Sequence, residues 1–204
     1  MADKNKKKEI ILDIKDLSIR LPKNADRPYA VKDVNLTLNR GEVLCIVGES
    51  GSGKSVMTSA IMNDVPPRLT VESGDVLFDG DNVLNFSASQ LEEMRGARIS
   101  MIYQEPMAAL NPAMKIGRQV DEVFELHRPE IGKKERKAAT LELFAQMKLP
   151  SPERIYNSYP HQVSGGQSQR VVIAMALACK PDIIIADEPT PALDETTQKE
   201  ILLL

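Results

Sequence analysis

Eight consecutive residues in the first third of the chain have the types and spacing that bind phosphate groups. They match the pattern G-x-x-x-x-G-K-[ST] and read Gly48-Glu49-Ser50-Gly51-Ser52-Gly53-Lys54-Ser55. Glycines let the backbone turn its N–H groups toward phosphate oxygens, the lysine supplies a positive charge, and the serine hydroxyl can ligate Mg²⁺. The alternative is a glycine-rich turn without function, but a chance match in such a chain arises on the order of once in 100 sequences. The segment therefore predicts a site for a nucleotide and Mg²⁺.

A second chemical pattern is an apolar run that ends in two carboxylates. Residues 183–186 are followed directly by Asp187 and Glu188. Carboxylate oxygens suit Mg²⁺, so Asp187 is predicted to lie near the metal, through a water molecule. Glu188 is then predicted to orient or deprotonate an attacking water. Two acids in a strand-to-loop turn would be the better interpretation if they stood alone, but together with the phosphate loop they indicate phosphoryl transfer.

A second glycine motif precedes an apolar, alanine-rich helix and reads Ser164-Gly165-Gly166-Gln167. Ser164 is predicted to cap this helix, and the glycines leave backbone N–H groups bare at its N-terminus, where anions bind. The alternative is an ordinary capped helix start. Two phosphate sites on one subunit would be redundant. The motif therefore favours two facing subunits, each of which closes the nucleotide site of the other.

Strands and helices alternate around these motifs. Period-two alternation of apolar residues predicts half-buried strands within 12–21, 34–38 and 76–78, the last running into the turn pair Asp79-Gly80. Continuous apolar runs predict strands of a covered parallel sheet at 42–47, 99–103 and 182–186. Helices are predicted over 54–62, 133–148 and 167–179. This order indicates an α/β fold with inserted subdomains.

Composition restricts the class of protein. The 204 residues carry a formal charge of −3, with 42% hydrophobic and 27% charged side chains, which is typical of globular proteins and excludes disorder for the bulk of the chain. A dedicated nucleic-acid binder would usually be basic. Cys45 and Cys179 are isolated, which favours two buried thiols over a disulfide or a metal site. Residues 1–8 are predicted to be a disordered lead-in, and no run approaches the roughly 18 apolar residues of a membrane span.

Five motifs occur in an order that resembles the ABC-transporter ATPases: GESGSGKS, YQEP, VSGGQ, IIIADEP and ALD. The resemblance covers residues 9–204. Within it, the amino-acid sequences of 95–120 and 171–194 are similar to those of the peptide/nickel importer branch. It implies an α/β P-loop NTPase (RecA-like) fold for residues 9–204. That fold has a parallel-sheet core, an antiparallel β subdomain and an inserted α-helical subdomain at about 105–160.

The same resemblance assigns roles to further residues. Gln104 matches a glutamine that contacts Mg²⁺ and the attacking water, so the implied metal set is Ser55, Gln104 and Asp187. The motif that begins at Ser164 would bind the γ-phosphate of ATP held by the opposite subunit, and residues 192–194 would contact that subunit. Tyr29 either stacks on adenine or is a surface tyrosine, and the sequence leaves both interpretations open.

The resemblance implies the ATP-binding subunit of an importer, which couples ATP hydrolysis to uptake of peptides or a related small solute. Its implied partners are a second ATPase subunit (a copy or a paralogue) in a head-to-tail dimer, integral-membrane permeases that dock on 105–160, and indirectly an external solute-binding protein. No nucleic-acid partner is expected, and the implied location is peripheral, on the cytoplasmic face of the inner membrane. The alternatives are an ABC-type ATPase that acts on DNA or ribosomes, or a nucleotide-binding module without turnover. The interval between the two glycine motifs lacks the heptads and CxxC pairs that DNA-repair relatives insert there.

This sequence departs from the family pattern at four points. Val163 stands where leucine is commoner, Ser168 where the branch often has a basic residue, and Pro191 where a serine is usual. The histidine that follows the next strand in the family has no counterpart up to Leu204. We therefore expect the chain to be part of a longer subunit. As it stands, we expect it to bind Mg-ATP but to hydrolyse it poorly.

Overall fold

The computed structural model of the chain describes residues 9–103 and 106–187. The chain divides into two units, one up to Glu92 and one from Glu93 onwards. In chain order the elements are β1 (Ile10–Arg20), β2 (Tyr29–Asn39), α1 (Lys54–Ile61), β3 (Thr70–Phe78), β4 (Asp81–Asn82), α2 (Ala88–Met94), β5 (Ile99–Ile102), α3 (Pro106–Ala109), α4 (Ile116–His127), α5 (Lys133–Gln146), α6 (Pro152–Asn157), α7 (Gly165–Leu177) and β6 (Ile183–Ala186).

The first unit contains the antiparallel sheet that period-two alternation predicts. Its strand order is β2-β1-β3-β4. Ile14 pairs with Leu36 on one side and with Val76 on the other, and its side chain is almost completely buried. The strands β1 and β2 are confirmed, and β3 is longer than the predicted 76–78. Because alternate side chains of β1 point to one face, this sheet provides the apolar surface of the unit.

The strand predicted at 42–47 is wrong. Residues 42–49 have no regular secondary structure, and Val43 and Val47 are 95% and 85% exposed. Cys45 in the same segment is exposed and Cys179 is half-buried, so the prediction of two buried thiols is also wrong. An apolar run indicates a preference for burial, whereas a strand also needs a neighbour that accepts and donates its backbone hydrogen bonds. Within the described ranges, residues 43–47 join no sheet ladder.

The second unit contains a parallel pair of strands. Ile99 pairs with Ile183 and Ile102 with Ala186, which confirms the strands predicted at 99–103 and 182–186 to within one residue. An ion pair between Arg98 Nε and Asp182 Oδ2, 2.9 Å apart, joins the beginnings of both strands. Both carboxyl ends therefore lie at the same edge of this sheet.

Helices cover most of the remainder of the second unit. The helix predicted over 133–148 is confirmed as α5, and its Phe144 is fully buried. The helix predicted from 167 is confirmed as α7, which begins two residues earlier because Ser164 caps it. In the described part of the chain, none of the helices has the length and apolar content that a bilayer crossing requires.

A buried carboxylate links three of these helices. Asp121 on α4 is 3% exposed and accepts hydrogen bonds from Thr140 Oγ1 on α5, at 2.8 Å, and from the Tyr156 hydroxyl on α6, at 2.5 Å. Burial, together with the hydrogen bond to Asp121, raises the pKa of Tyr156 well above its usual value, so the phenol remains a donor at neutral pH. The orientation of the Tyr156 ring is thus determined by a buried acceptor.

Replacement of Gly117 by alanine is expected to destabilise the second unit. A Cβ atom at Gly117 would lie 2.2 Å from Cδ2 of Tyr156, a ring that cannot move away while it donates to Asp121. We expect a loss of about 1–3 kcal/mol in the free energy of unfolding, measured by thermal denaturation. Gly165→Ala is the control, since a Cβ there meets no heavy atom within 4 Å. Equal melting temperatures for the two variants would contradict this account.

Candidate nucleotide-binding site

The phosphate loop has a backbone that excludes side chains at one point. Gly53 caps α1 at its N-terminus with a φ of +99°, and a Cβ atom there would lie 2.3 Å from the carbonyl oxygen of Ala30 on β2. Gly51 also has a positive φ, +78°. A residue with a side chain at position 53 would be strained in its own conformation and would collide with β2. The second glycine of the motif is therefore required by packing as well as by any ligand.

Lys54 lies across the carbonyl groups of this loop. Its Nζ donates to the carbonyl oxygens of Gly48, at 2.7 Å, and Glu49, at 3.0 Å. No carboxylate pairs with Lys54 among the described residues, and the first turn of α1 contains no acidic residue. The loop thus combines an ammonium group compensated only by neutral acceptors with the positive end of a helix dipole. Both features favour a bound phosphate.

Tyr29 lies next to the phosphate loop in the same unit. It directly precedes Ala30, whose carbonyl oxygen faces Gly53. Its ring centroid is 5.1 Å from Arg20 Cζ and 5.5 Å from Lys32 Nζ, and its hydroxyl accepts a hydrogen bond from Arg20 Nη2 at 3.1 Å. These two cations restrain the position of the Tyr29 ring. Its role toward adenine remains a prediction.

Asp187 follows the carboxyl end of β6. Its backbone N–H donates to the carbonyl oxygen of Ile102, the last residue of β5, at 3.0 Å, and the residue is half-buried. The acid predicted for Mg²⁺ therefore stands directly after a strand end. Gln104 and Glu188, the predicted catalytic residues, lie outside the described residues, as does the segment 192–194.

The second glycine motif begins α7 with a reciprocal cap. Ser164 Oγ accepts from the Gln167 backbone N–H at 3.3 Å, and Gln167 Oε1 accepts from the Ser164 N–H at 3.1 Å. The capping role predicted for Ser164 is confirmed. Gly165 is exposed with open space beside its Cα, whereas the next serine, Ser168, is fully buried in α7. The helix thus presents an exposed N-terminus.

Two side chains that bind the phosphate loop and the turn after α3 have no signature in the sequence. Arg27 donates a hydrogen bond from Nη2 to the carbonyl oxygen of Gly51 in the phosphate loop. In the second unit, the buried amide of Gln119 binds the turn that follows α3, because Oε1 accepts from Asn111 N at 2.8 Å and Nε2 donates to Met114 O at 2.9 Å. Neither belongs to a motif or to a periodic pattern, so only long-range packing reveals them.

Comparison with known proteins decides the family. The sequence profile of the ABC transporter family matches residues 31–191. This chain belongs to that family. It is 46% identical to the oligopeptide transport ATP-binding protein OppD of Bacillus subtilis (strain 168) and 44% identical to the probable D,D-dipeptide transport ATP-binding protein DdpD of Escherichia coli (strain K12), each over 95% of the chain.

The ABC fold agrees with solved structures as well. A dimeric, post-hydrolysis structure of the ATP-binding cassette MJ0796 bound to ADP and Pi superposes with a TM-score of 0.82 at 33% identity, covering 95% of this chain and 80% of that one. The α/β P-loop NTPase class predicted from the sequence is thereby confirmed. The ABC chain described here spans only 54% of the OppD relative and 59% of the DdpD relative.

Proposed function

We propose that this chain is the ATP-binding part of an ABC importer subunit that couples ATP hydrolysis to uptake of peptides. The observation that carries the proposal is the phosphate loop, in which the Lys54 ammonium is held only by loop carbonyl groups. The two relatives described above, 46% and 44% identical to this chain, are named as ATP-binding proteins of oligopeptide and D,D-dipeptide transport. The loop thus supports binding of a nucleotide, and the names of the relatives support ATP as that nucleotide and peptides as the cargo.

In the proposed site, the backbone N–H groups of Gly48–Ser55 and the Lys54 ammonium hold the phosphates of ATP. The loop conformation fits this role and requires glycine at position 53, because a side chain there would collide with the Ala30 carbonyl group. The hydroxyl of Ser55, the amide of Gln104 and the carboxylate of Asp187 are the proposed ligands of Mg²⁺, with Asp187 acting through a water molecule. Bound Mg²⁺ neutralises phosphate charge. Tyr29 is the proposed platform for adenine.

Hydrolysis is assigned to two residues in this proposal. Glu188 accepts a proton from water as the water oxygen bonds to the γ-phosphorus, and Gln104 orients that water. The bond between the γ-phosphorus and the bridging oxygen breaks, which releases ADP and phosphate. A carboxylate at position 188 therefore serves the chemical step rather than nucleotide affinity.

The γ-phosphate is proposed to meet a second subunit. The exposed N-terminus of α7 is suited to bind an anion, here the γ-phosphate of ATP held by the opposite subunit. The residues proposed to bind it are Ser164, Gly165, Gly166 and Gln167. The solved ATP-binding cassette described above is dimeric and holds ADP and phosphate. We therefore infer a head-to-tail dimer with a copy or a paralogue, across which residues 192–194 also make contact.

The permease contact is proposed for the helical region at about 105–160. This region holds α3, α4, α5 and α6, and the buried amide of Gln119 fixes its turn at 111–114. Docking there would place the subunit at the cytoplasmic face of the inner membrane and couple it, through the permease, to an external solute-binding protein. A fixed turn can transmit force to a partner better than a mobile one.

The importer function is tested by uptake. The subunit that contains this chain, expressed together with its permease subunits, is expected to restore uptake of a labelled tripeptide in a strain deleted for its own peptide importers. Lys54→Ala should abolish the restored uptake, and a labelled nickel chelate serves as the competing cargo. Uptake that is insensitive to Lys54→Ala would refute the proposed coupling.

A further inference from the structure

A short closed loop lies between β1 and β2 in the first unit. The Leu21 N–H donates to the Pro28 carbonyl oxygen at 2.9 Å and closes its base, and the Ala25 N–H donates to the Pro22 carbonyl oxygen at 2.9 Å across its tip. Arg27 directly precedes Pro28, which restricts the Arg27 backbone to extended conformations. The backbone at Arg27 is therefore restrained by the loop, although the Arg27 side chain is exposed.

The Arg27 side chain reaches the tip of the phosphate loop. Its Nη2 donates to the carbonyl oxygen of Gly51, 24 residues further along the chain. Side-chain packing does not restrain Gly51, because a Cβ atom there would meet no heavy atom within 4 Å. Its φ of +78° is one of several conformations that glycine adopts readily. A hydrogen bond from outside the loop is thus well placed to select one of them.

The hydrogen bond from Arg27 restrains the orientation of the peptide that joins Gly51 to Ser52. In a trans peptide the carbonyl oxygen and the following N–H point in opposite directions. The carbonyl oxygen of Gly51 points toward Arg27, and the Ser52 N–H points toward the Glu49 carbonyl oxygen, at 3.2 Å. Phosphate oxygens attract N–H groups and repel carbonyl oxygens, so the orientation of this peptide affects binding.

We propose that Arg27 is a positioning residue of the phosphate loop, which holds the Gly51 carbonyl oxygen toward itself and thereby keeps that oxygen away from a bound phosphate. The inference rests on the proposed function, in which this loop binds ATP. Lys54 compensates the carbonyl groups of Gly48 and Glu49, and Arg27 does the same for Gly51. Because Arg27 acts through the loop, it serves every nucleotide that places phosphates there, with or without a γ-phosphate.

The test compares nucleotide affinities of the purified chain and five variants by calorimetry with MgATP and MgADP. Arg27→Ala is expected to weaken both nucleotides by the same factor, about tenfold, which equals about 1.4 kcal/mol. Arg27→Lys should recover part of this loss, because it keeps a charged donor without the planar fork. Lys23→Ala removes an equally exposed charge of the same loop and should change affinity less than about twofold. Arg27→Gln removes the charge but keeps a donor, and Lys54→Ala tests the site itself.

A second readout separates positioning from folding. The Ser52 amide resonance in ¹H–¹⁵N spectra of the nucleotide-free protein should shift in Arg27→Ala and stay in place in Lys23→Ala, while the melting temperature stays unchanged in both. Wild-type affinity of Arg27→Ala, an equal loss in Lys23→Ala, or a loss confined to MgATP would each overturn the positioning role. If Lys54→Ala loses affinity and Arg27→Ala does not, only this inference fails. If Lys54→Ala binds normally, the proposed function fails with it.

Discussion

Lys54→Ala is expected to weaken MgATP binding at least about a hundredfold, which corresponds to about 3 kcal/mol. The Lys54 ammonium lies directly on the carbonyl oxygens of Gly48 and Glu49, at 2.7 and 3.0 Å. Hydrogen bonds between ionised partners are roughly twice as strong as neutral ones, and a phosphate replaces two neutral acceptors when it binds.

The measurement is a titration with a fluorescent ATP analogue, since the chain has no tryptophan whose quenching could report binding. Lys23→Ala is the matched control for loss of one positive charge near the site. Far-ultraviolet circular dichroism should be the same for all three proteins. Undiminished affinity of Lys54→Ala would mean that the loop does not hold the phosphates.

Glu188→Gln is expected to slow ATP turnover at least about a hundredfold while MgATP affinity stays within about twofold of wild type. The substitution removes the base that accepts the proton of water but keeps the shape and hydrogen-bonding capacity of the side chain. Since the loop and Lys54 provide the affinity in this proposal, nucleotide should accumulate unhydrolysed. The expected change is a decrease in kcat, whereas the affinity for MgATP stays nearly the same.

Steady-state ATPase of the subunit assembled with its permease partners, at saturating MgATP, measures this effect. Glu92→Gln provides the control, because Glu92 is an exposed glutamate on α2, outside the region proposed to contact the permease. Retained turnover in Glu188→Gln would assign the base to another residue. A parallel loss of affinity would instead place Glu188 among the ligands of the nucleotide.

Local chemistry allowed much of this protein to be predicted from its residues. The strands β1 and β2 follow from period-two alternation, because each strand exposes alternate side chains to opposite faces. The cap at Ser164 follows from its spacing to Gln167, because the two groups that bond are three residues apart. The phosphate loop is a contiguous motif, so its family assignment needed no knowledge of distant contacts.

Contacts between distant residues were decided only by the tertiary structure. The apolar run 42–47 has the composition of a strand but has no ladder partner in the described ranges. The Asp121 carboxylate is buried because Thr140 and Tyr156, from two other helices, donate to it, and Gly53 is confined by a carbonyl group of β2. The contact from Arg27 to Gly51 is of the same kind. Spacing along the chain determines which groups meet within a helix turn or a strand pair, whereas packing of separate elements determines the rest.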